Sequence, residues 1–277
     1  MTAKNYLIGP ALILSAFLGT SASAQQPAPA AQTNLDYLTS GVLYTQKAAE
    51  YRALAYQAFN IARERLDADF DKKNLKKLPK PAQKLPRAIV VDIDETVLDN
   101  SPSNAKQINT NTPFNTKDWY AWGEMRKAKA VPGAVDFLNY AVSKGVKIFY
   151  ISNRDEAQRQ ATLDNLKSVG FNDVSSDRVM LRINGESPKG PRRDVVSSTY
   201  RIVMLLGDNL DDFASVFEKK SIAERFAQAD GLRDRWGKSF IVLPNAMYGT
   251  WESAIYEHQR LTEAQKAERR AAALELP

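Results

Sequence analysis

The chain contains no cysteine and a single histidine, His258, among its 277 residues. The first absence rules out a disulfide framework, a thiolate metal site, a cysteine nucleophile and a lipid-anchored N-terminal cysteine. The second all but excludes phosphohistidine chemistry and clustered-histidine metal sites. Long apolar runs are also missing. The best is Tyr6–Leu18, interrupted by Gly9 and Pro10 and shorter than the ~20 residues a membrane-spanning helix needs. The expectation is therefore no stable membrane insertion. Lysines and arginines do not interleave with aromatics in a long stripe, which argues against a nucleic acid polymer as partner. Neither composition nor pattern speaks to oligomeric state.

At the N-terminus, Lys4 precedes the apolar run, and Ala22-Ser23-Ala24 supplies a small-x-small end. This reads as a secretory signal peptide over residues 1–24, so the expected location is periplasmic or secreted. Residues 25–34 read as a flexible leader. The formal charge of +6 falls to +5 once Lys4 is subtracted, a modest basic excess that suits anionic substrates. One domain is expected over 35–277. An apolar face through Leu35, Leu38, Val42, Thr45, Ala49, Arg52, Tyr56, Phe59 and Arg63 predicts a single N-terminal helix over 35–70. A lysine-rich, proline-containing segment, 71–87, reads as an irregular basic linker. Residues 252–276 are rich in Ala, Glu, Arg and Gln and predict a C-terminal helix.

Between these, over 88–250, the pattern alternates. Ala88–Asp92, Lys147–Ser152, Arg201–Leu206 and Ser239–Leu243 are apolar throughout, and Val179–Ile183 is a weaker fifth run. Such runs predict strands covered on both faces. Helical stretches at 134–144, 156–169, 194–199 and 212–228 separate them, giving an α/β fold on a doubly wound, Rossmann-like parallel sheet. Ligands of such sheets bind at the carboxyl ends of the strands. Those ends read Asp92-Ile93-Asp94, Ser152-Asn153-Arg154 and Gly207-Asp208-Asn209, with Asp211 and Asp212 just beyond. Carboxylates gathered there would repel one another unless a cation sat among them. Oxygen donors without His or Cys favour a hard ion, most simply Mg²⁺.

These residues carry a resemblance. VVDIDETVLDNS at 90–101 and IVMLLGDNLDDF at 202–213 are similar to the two signature motifs of the class C, or four-aspartate, acid phosphatases of the haloacid dehalogenase superfamily. YISNR at 150–154 resembles that superfamily's second motif, and VPGAVDFL at 131–138 and VLPNAMYGTWE at 242–252 resemble further class C stretches. The likeness runs from Leu35 to Tyr256. It implies a haloacid-dehalogenase-like fold with an added helical subdomain from the two chain ends. It also implies a Mg²⁺-dependent phosphomonoesterase acting on small phosphomonoesters, 5′-nucleotides among them, which the N-terminal pattern would export.

By the resemblance, Asp92 is the nucleophile that becomes an aspartyl-phosphate, and Asp94 is the acid–base. Asp92, the Asp94 carbonyl and Asp208 hold the metal, and Asp212 supports its water shell. Asp211 has no counterpart and is expected at the surface. Ser152 and Asn153 bind phosphoryl oxygens, with capping of the helix that starts near Asp155 as the alternative for Ser152. A cation from SPKGPRR completes the site; Lys189 is the choice, with Arg192 and Arg193 beside it. Trp119, Trp122 and Tyr248 resemble residues that stack on the leaving group, while the two tryptophans beside Tyr120 read equally well as a core cluster. His258 reads as an ordinary helix residue. Bacterial outer-membrane lipoproteins of this family are anchored through a cysteine, which this chain lacks. A non-catalytic storage protein or a surface ligand-binding relative is the alternative, disfavoured by the presence of all four aspartates.

Overall fold

The computed structural model describes Met1, Thr2 and residues 35–277. The expected signal peptide and leader lie outside the described residues apart from those first two. Two helices open the described chain, α1 (Thr39–Lys47) and α2 (Ala49–Phe70). They are not the single helix of the sequence reading. Ala48 between them is extended, at φ −79° and ψ 130°. The break rephases the apolar stripe. Leu35, Leu38, Val42 and Thr45 are buried as expected, but the buried face of α2 is Tyr51, Ala55, Ala58, Phe59, Ala62 and Leu66. Ala49, Arg52 and Tyr56 fall on its exposed side. Alanine favours helix, so the break comes from tertiary packing overriding local preference.

The basic segment is also more regular than expected. It forms two short helices, α3 (Lys72–Leu75) and α4 (Lys80–Lys84). Asp71 caps the first through the Lys73 N–H, and Pro81 sits in the first turn of the second, where its missing N–H costs nothing.

Strand β1 (Arg87–Val91) follows. An excursion then carries a two-stranded ribbon, β2 (Leu98–Asp99) with β3 (Lys129–Ala130), enclosing helices α5 (Ser101–Thr110) and α6 (Thr116–Met125). The chain continues through α7 (Ala134–Ser143), β4 (Lys147–Asp155), α8 (Arg159–Ser168), β5 (Val179–Arg182), α9 (Gly190–Ser197) and β6 (Arg201–Gly207). It ends with α10 (Ile222–Gly231), β7 (Phe240–Val242), α11 (Thr250–Ile255) and α12 (Glu263–Ala272). The helix expected over 212–228 is replaced by two 3-10 turns, Leu210–Asp212 and Ser215–Phe217, before α10 starts at a Ser221/Glu224 capping box. The C-terminal helix is likewise two helices. Glu257 and His258 between them lie at positive φ, so His258 is not helical, and a Thr262/Gln265 capping box starts α12.

The five long-range strands form one parallel sheet in the order β5-β4-β1-β6-β7. β1 lies at the centre, with Ala88 opposite Lys147 on one side and Val91 opposite Leu206 on the other. Alternate residues serve alternate faces. Ile89, Val91, Ile148, Tyr150, Met204, Leu206 and Ile241 point to the core built with α2, α7 and α8. Ala88, Val90, Phe149, Ile151, Leu205 and Phe240 point to the opposite core with Val196 of α9 and Phe213. Burial on both faces explains why these strands read as unbroken apolar runs. From β1 the chain builds outward to β4 and β5, then crosses back to β6. The tips of β1 and β6 flank that switch point, where open α/β sheets bind ligands.

Candidate active site

Asp92 is the first residue beyond β1, tied to β6 by its own N–H donating to the Leu206 carbonyl at 3.0 Å. Asp92 is only 7% exposed, and its carboxylate accepts a hydrogen bond from the Lys189 ammonium. That ammonium also reaches Asp212 Oδ1 at 2.6 Å. Lys189 stands just before α9, itself buried, and so is the cation of the SPKGPRR segment that enters the site. Arg192 turns instead to the Ser152 carbonyl at 2.6 Å and Asn153 Oδ1 at 2.7 Å, and Arg193 to the Asp212 carbonyl at 2.9 Å.

β6 delivers the second acidic group. Asp208 accepts from Thr96 Oγ1 at 3.0 Å and from Asn245 Nδ2 at 2.8 Å. Asp212 lies in the 3-10 turn that follows and accepts the Asn209 N–H at 3.0 Å. Asp211 is not free at the surface as expected. It pairs with Arg225 Nη1 at 3.0 Å.

Oxygens of Asp92, Asp208 and Asp212 all lie within 4.8 Å of one another. Three carboxylates therefore face one ammonium. Burial, then repulsion from Asp212, raises Asp208 to about 7. Burial drives Asp92 well above the usual carboxylate range, with Lys189 opposing and Asp212 adding to the rise. Burial works against the Lys189 charge, but the two aspartates outweigh it and hold the ammonium above its ordinary value. A divalent cation would relieve what the lysine leaves uncompensated. The donor set of carboxylate oxygens fits a hard ion, and Asp92, Asp208 and Asp212 are the side chains placed to hold or support it.

The remaining expected residues divide. Asp94 sits on the turn after β1, and its carboxylate is held by Arg154 of β4 at 2.8 Å. Ser152 is fully buried, with its hydroxyl on Asp94 Oδ2 at 3.2 Å. It is not the cap of the next helical turn, a role taken by Asp155. Asn153 is exposed and lines the cleft over Asp92, a space of about 1020 Å³. Trp119 and Tyr248 line the same cleft. Trp122 does not. It packs against the core, and its Nε1–H donates to Asn100 Oδ1 at 2.8 Å. His258, also on the cleft wall, has its Nε2 at 2.9 Å from the Lys220 carbonyl.

Residues given no role in the sequence reading complete the site. Glu95 is buried at φ +59°, its Oε1 accepting the Asn100 N–H at 2.7 Å. Thr96, Asn100, Arg154 and Asn245 orient the carboxylates, and Phe114, 64% exposed, adds an aromatic wall beside Trp119. Asn100 and Arg154 were visible inside the motifs, but only folding reveals what they hold.

The geometry has solved counterparts. The class C acid phosphatase from Bacillus anthracis superposes with a TM-score of 0.81 at 37% identity, covering 87% of this chain and 98% of that one. Its structure "with tungstate bound" gives 0.80 and 38% over the same shares. "Acid phosphatase 1" of Solanum lycopersicum is 28% identical over 130 residues, 44% of this chain. The chain thus spans half the length of that curated relative. The family model described as "HAD superfamily, subfamily IIIB (Acid phosphatase)" matches residues 15–251. With that match over most of its length, and strand tips that bring Asp92, Asp208 and Asp212 together, the chain belongs to the subfamily IIIB acid phosphatases of the haloacid dehalogenase superfamily.

Proposed function

We propose that this protein is an exported, Mg²⁺-dependent acid phosphatase that hydrolyses small phosphomonoesters, 5′-nucleotides among them, through a phosphorylated Asp92. The observation that carries the proposal is the buried Asp92 carboxylate at the carboxyl end of β1, touching Lys189 and ringed by Asp208 and Asp212.

A carboxylate oxygen of Asp92 attacks phosphorus, and the bond to the ester oxygen breaks with its electron pair on the departing alkoxide. Asp94 supplies the proton that oxygen takes up. Water then attacks the aspartyl-phosphate. Its proton passes to Asp94, the Asp92–phosphorus linkage breaks, and Asp92 and free phosphate are restored. Lys189 and the Asn153 amide meet the phosphoryl oxygens, a role that their shared position on the cleft over Asp92 supports. Bound Mg²⁺ would offset the repulsion between Asp92 and an incoming dianion. The aromatic wall of Phe114, Trp119 and Tyr248 suits a flat leaving group, because stacking tolerates any base. Tungstate on the similar Bacillus anthracis protein agrees with an oxyanion pocket here.

Asp92→Asn tests the mechanism. It keeps an acceptor for Lys189 and removes the nucleophile, so kcat on p-nitrophenyl phosphate should fall by roughly 10⁴-fold or more with an unchanged circular dichroism spectrum. Retained turnover would refute the nucleophile. Export rests on the N-terminal pattern and predicts a mature chain beginning at Gln25, read by N-terminal sequencing. Among the described residues no helix is long and apolar enough to cross a membrane.

A further inference from the structure

The Asp94 carboxylate is held asymmetrically. Its Oδ1 takes Arg154 Nε at 2.9 Å, Arg154 Nη2 at 2.8 Å and Asn100 Nδ2 at 2.8 Å. Its Oδ2 has only longer contacts, to Ser152 Oγ at 3.2 Å and Arg154 Nε at 3.3 Å. One oxygen is saturated with donors and the other is not.

The group that imposes this asymmetry is fixed in place. Arg154 is 2% exposed. Its Nη1 donates to Thr162 Oγ1 at 3.2 Å, its Nη2 also reaches Asn100 Oδ1 at 3.3 Å, and the Trp119 ring lies 5.5 Å from its guanidinium carbon. Asn100 is pinned in turn by Trp122 Nε1–H at 2.8 Å and, through its own N–H, by Glu95 Oε1 at 2.7 Å. The planar fork of a guanidinium can set the tilt of a carboxylate, which a single ammonium cannot.

We infer that Arg154 is the positioning residue for Asp94. It occupies Oδ1 and leaves Oδ2 as the atom that gives a proton to the departing oxygen and takes one from the attacking water. A carboxylate oxygen already accepting three hydrogen bonds has no lone pair left for a travelling proton. The inference rests on Asp94 acting as the acid–base of the proposed reaction. A purely structural role, neutralising a half-buried carboxylate, would predict a different pattern of loss.

The test compares leaving groups. p-Nitrophenolate departs unaided, whereas an alkoxide needs its proton. kcat/KM reports the first phosphoryl transfer, where the two substrates differ. For Arg154→Met, kcat/KM on glycerol 2-phosphate should fall about 100-fold or more, against less than about tenfold on p-nitrophenyl phosphate. Arg154→Lys should show the same skew at smaller size. Trp122→Phe keeps the ring packing but removes the donor to Asn100, and it gives the readout if Arg154→Met does not fold. It too should weaken alkyl phosphate turnover more than aryl. Equal losses on both substrates, or no loss, in a folded variant would overturn the positioning role while leaving the phosphatase reading intact. A wild-type chain inert toward both substrates overturns both readings.

Discussion

Gly207 is the last residue of β6, immediately before Asp208. A Cβ placed there would lie 2.4 Å from Asp212 Oδ2 and 2.6 Å from Asp212 Cβ. Nothing larger than hydrogen fits without moving Asp212, and Asp212 is the second partner of Lys189. The glycine is therefore fixed by the approach of a functional side chain to the backbone. Gly207→Ala should cost about 1–3 kcal/mol from overpacking and loosen the Lys189–Asp212 contact. The expected outcome is a lowered Tm together with a reduced kcat, measured by thermal unfolding and p-nitrophenyl phosphate turnover. A fully active, equally stable variant would mean that Asp212 moves aside freely.

Among the elements, α2 is fastened to the sheet by one carboxylate. Asp69, in its last turn, accepts from Arg87 Nε at 2.6 Å and from Arg201 Nη1 and Nη2 at 2.6 and 2.7 Å. Those arginines begin β1 and β6, the two strands whose far ends carry the site. Burial works to raise the Asp69 carboxyl, but the hydrogen bonds from Arg201 and Arg87 hold it below its ordinary 3.8. A depressed folded-state value adds stability that is present above the unfolded value and lost as pH falls through the folded one. Asp69→Asn should therefore lower stability by about 1–3 kcal/mol near neutrality. The gap from wild type should hold down to about pH 5 and shrink below it, read by urea unfolding across pH. A gap independent of pH would assign the loss to packing.

The strands and their tips were legible because burial on two faces leaves unbroken apolar runs ending in polar clusters. Helix limits were less so. Ala48 breaks a helix with no breaker residue. The polar α5 carries no stripe to read, with only Ser101, Ser103 and Asn104 buried. The capping boxes at Ser221 and Thr262 were local signals that composition alone hides. Arg154, Thr96 and Asn245 act across distant parts of the chain, and only their folded neighbours give them a role.

At the scale of the whole molecule, stability and function compete at the strand tips. Folding drives Asp92, Asp208 and Asp212 together around a single ammonium, and charge buried without compensation lowers the stability of the metal-free fold. A ligand that binds only the folded state returns stability by mass action. Wild-type protein should gain Tm on addition of Mg²⁺ and lose that gain with a chelator. Asp92→Asn, which removes one of the three charges but keeps an acceptor for Lys189, should be about 1 kcal/mol more stable than wild type without metal, a rise of roughly 2–4 °C in Tm. The same variant should gain less from Mg²⁺, because one donor to the ion has weakened. Differential scanning calorimetry of both proteins, with and without Mg²⁺, decides the matter. If Asp92→Asn melts below wild type in the chelator, the Lys189–Asp92 ion pair outweighs the carboxylate repulsion, and the cluster does not demand a cation.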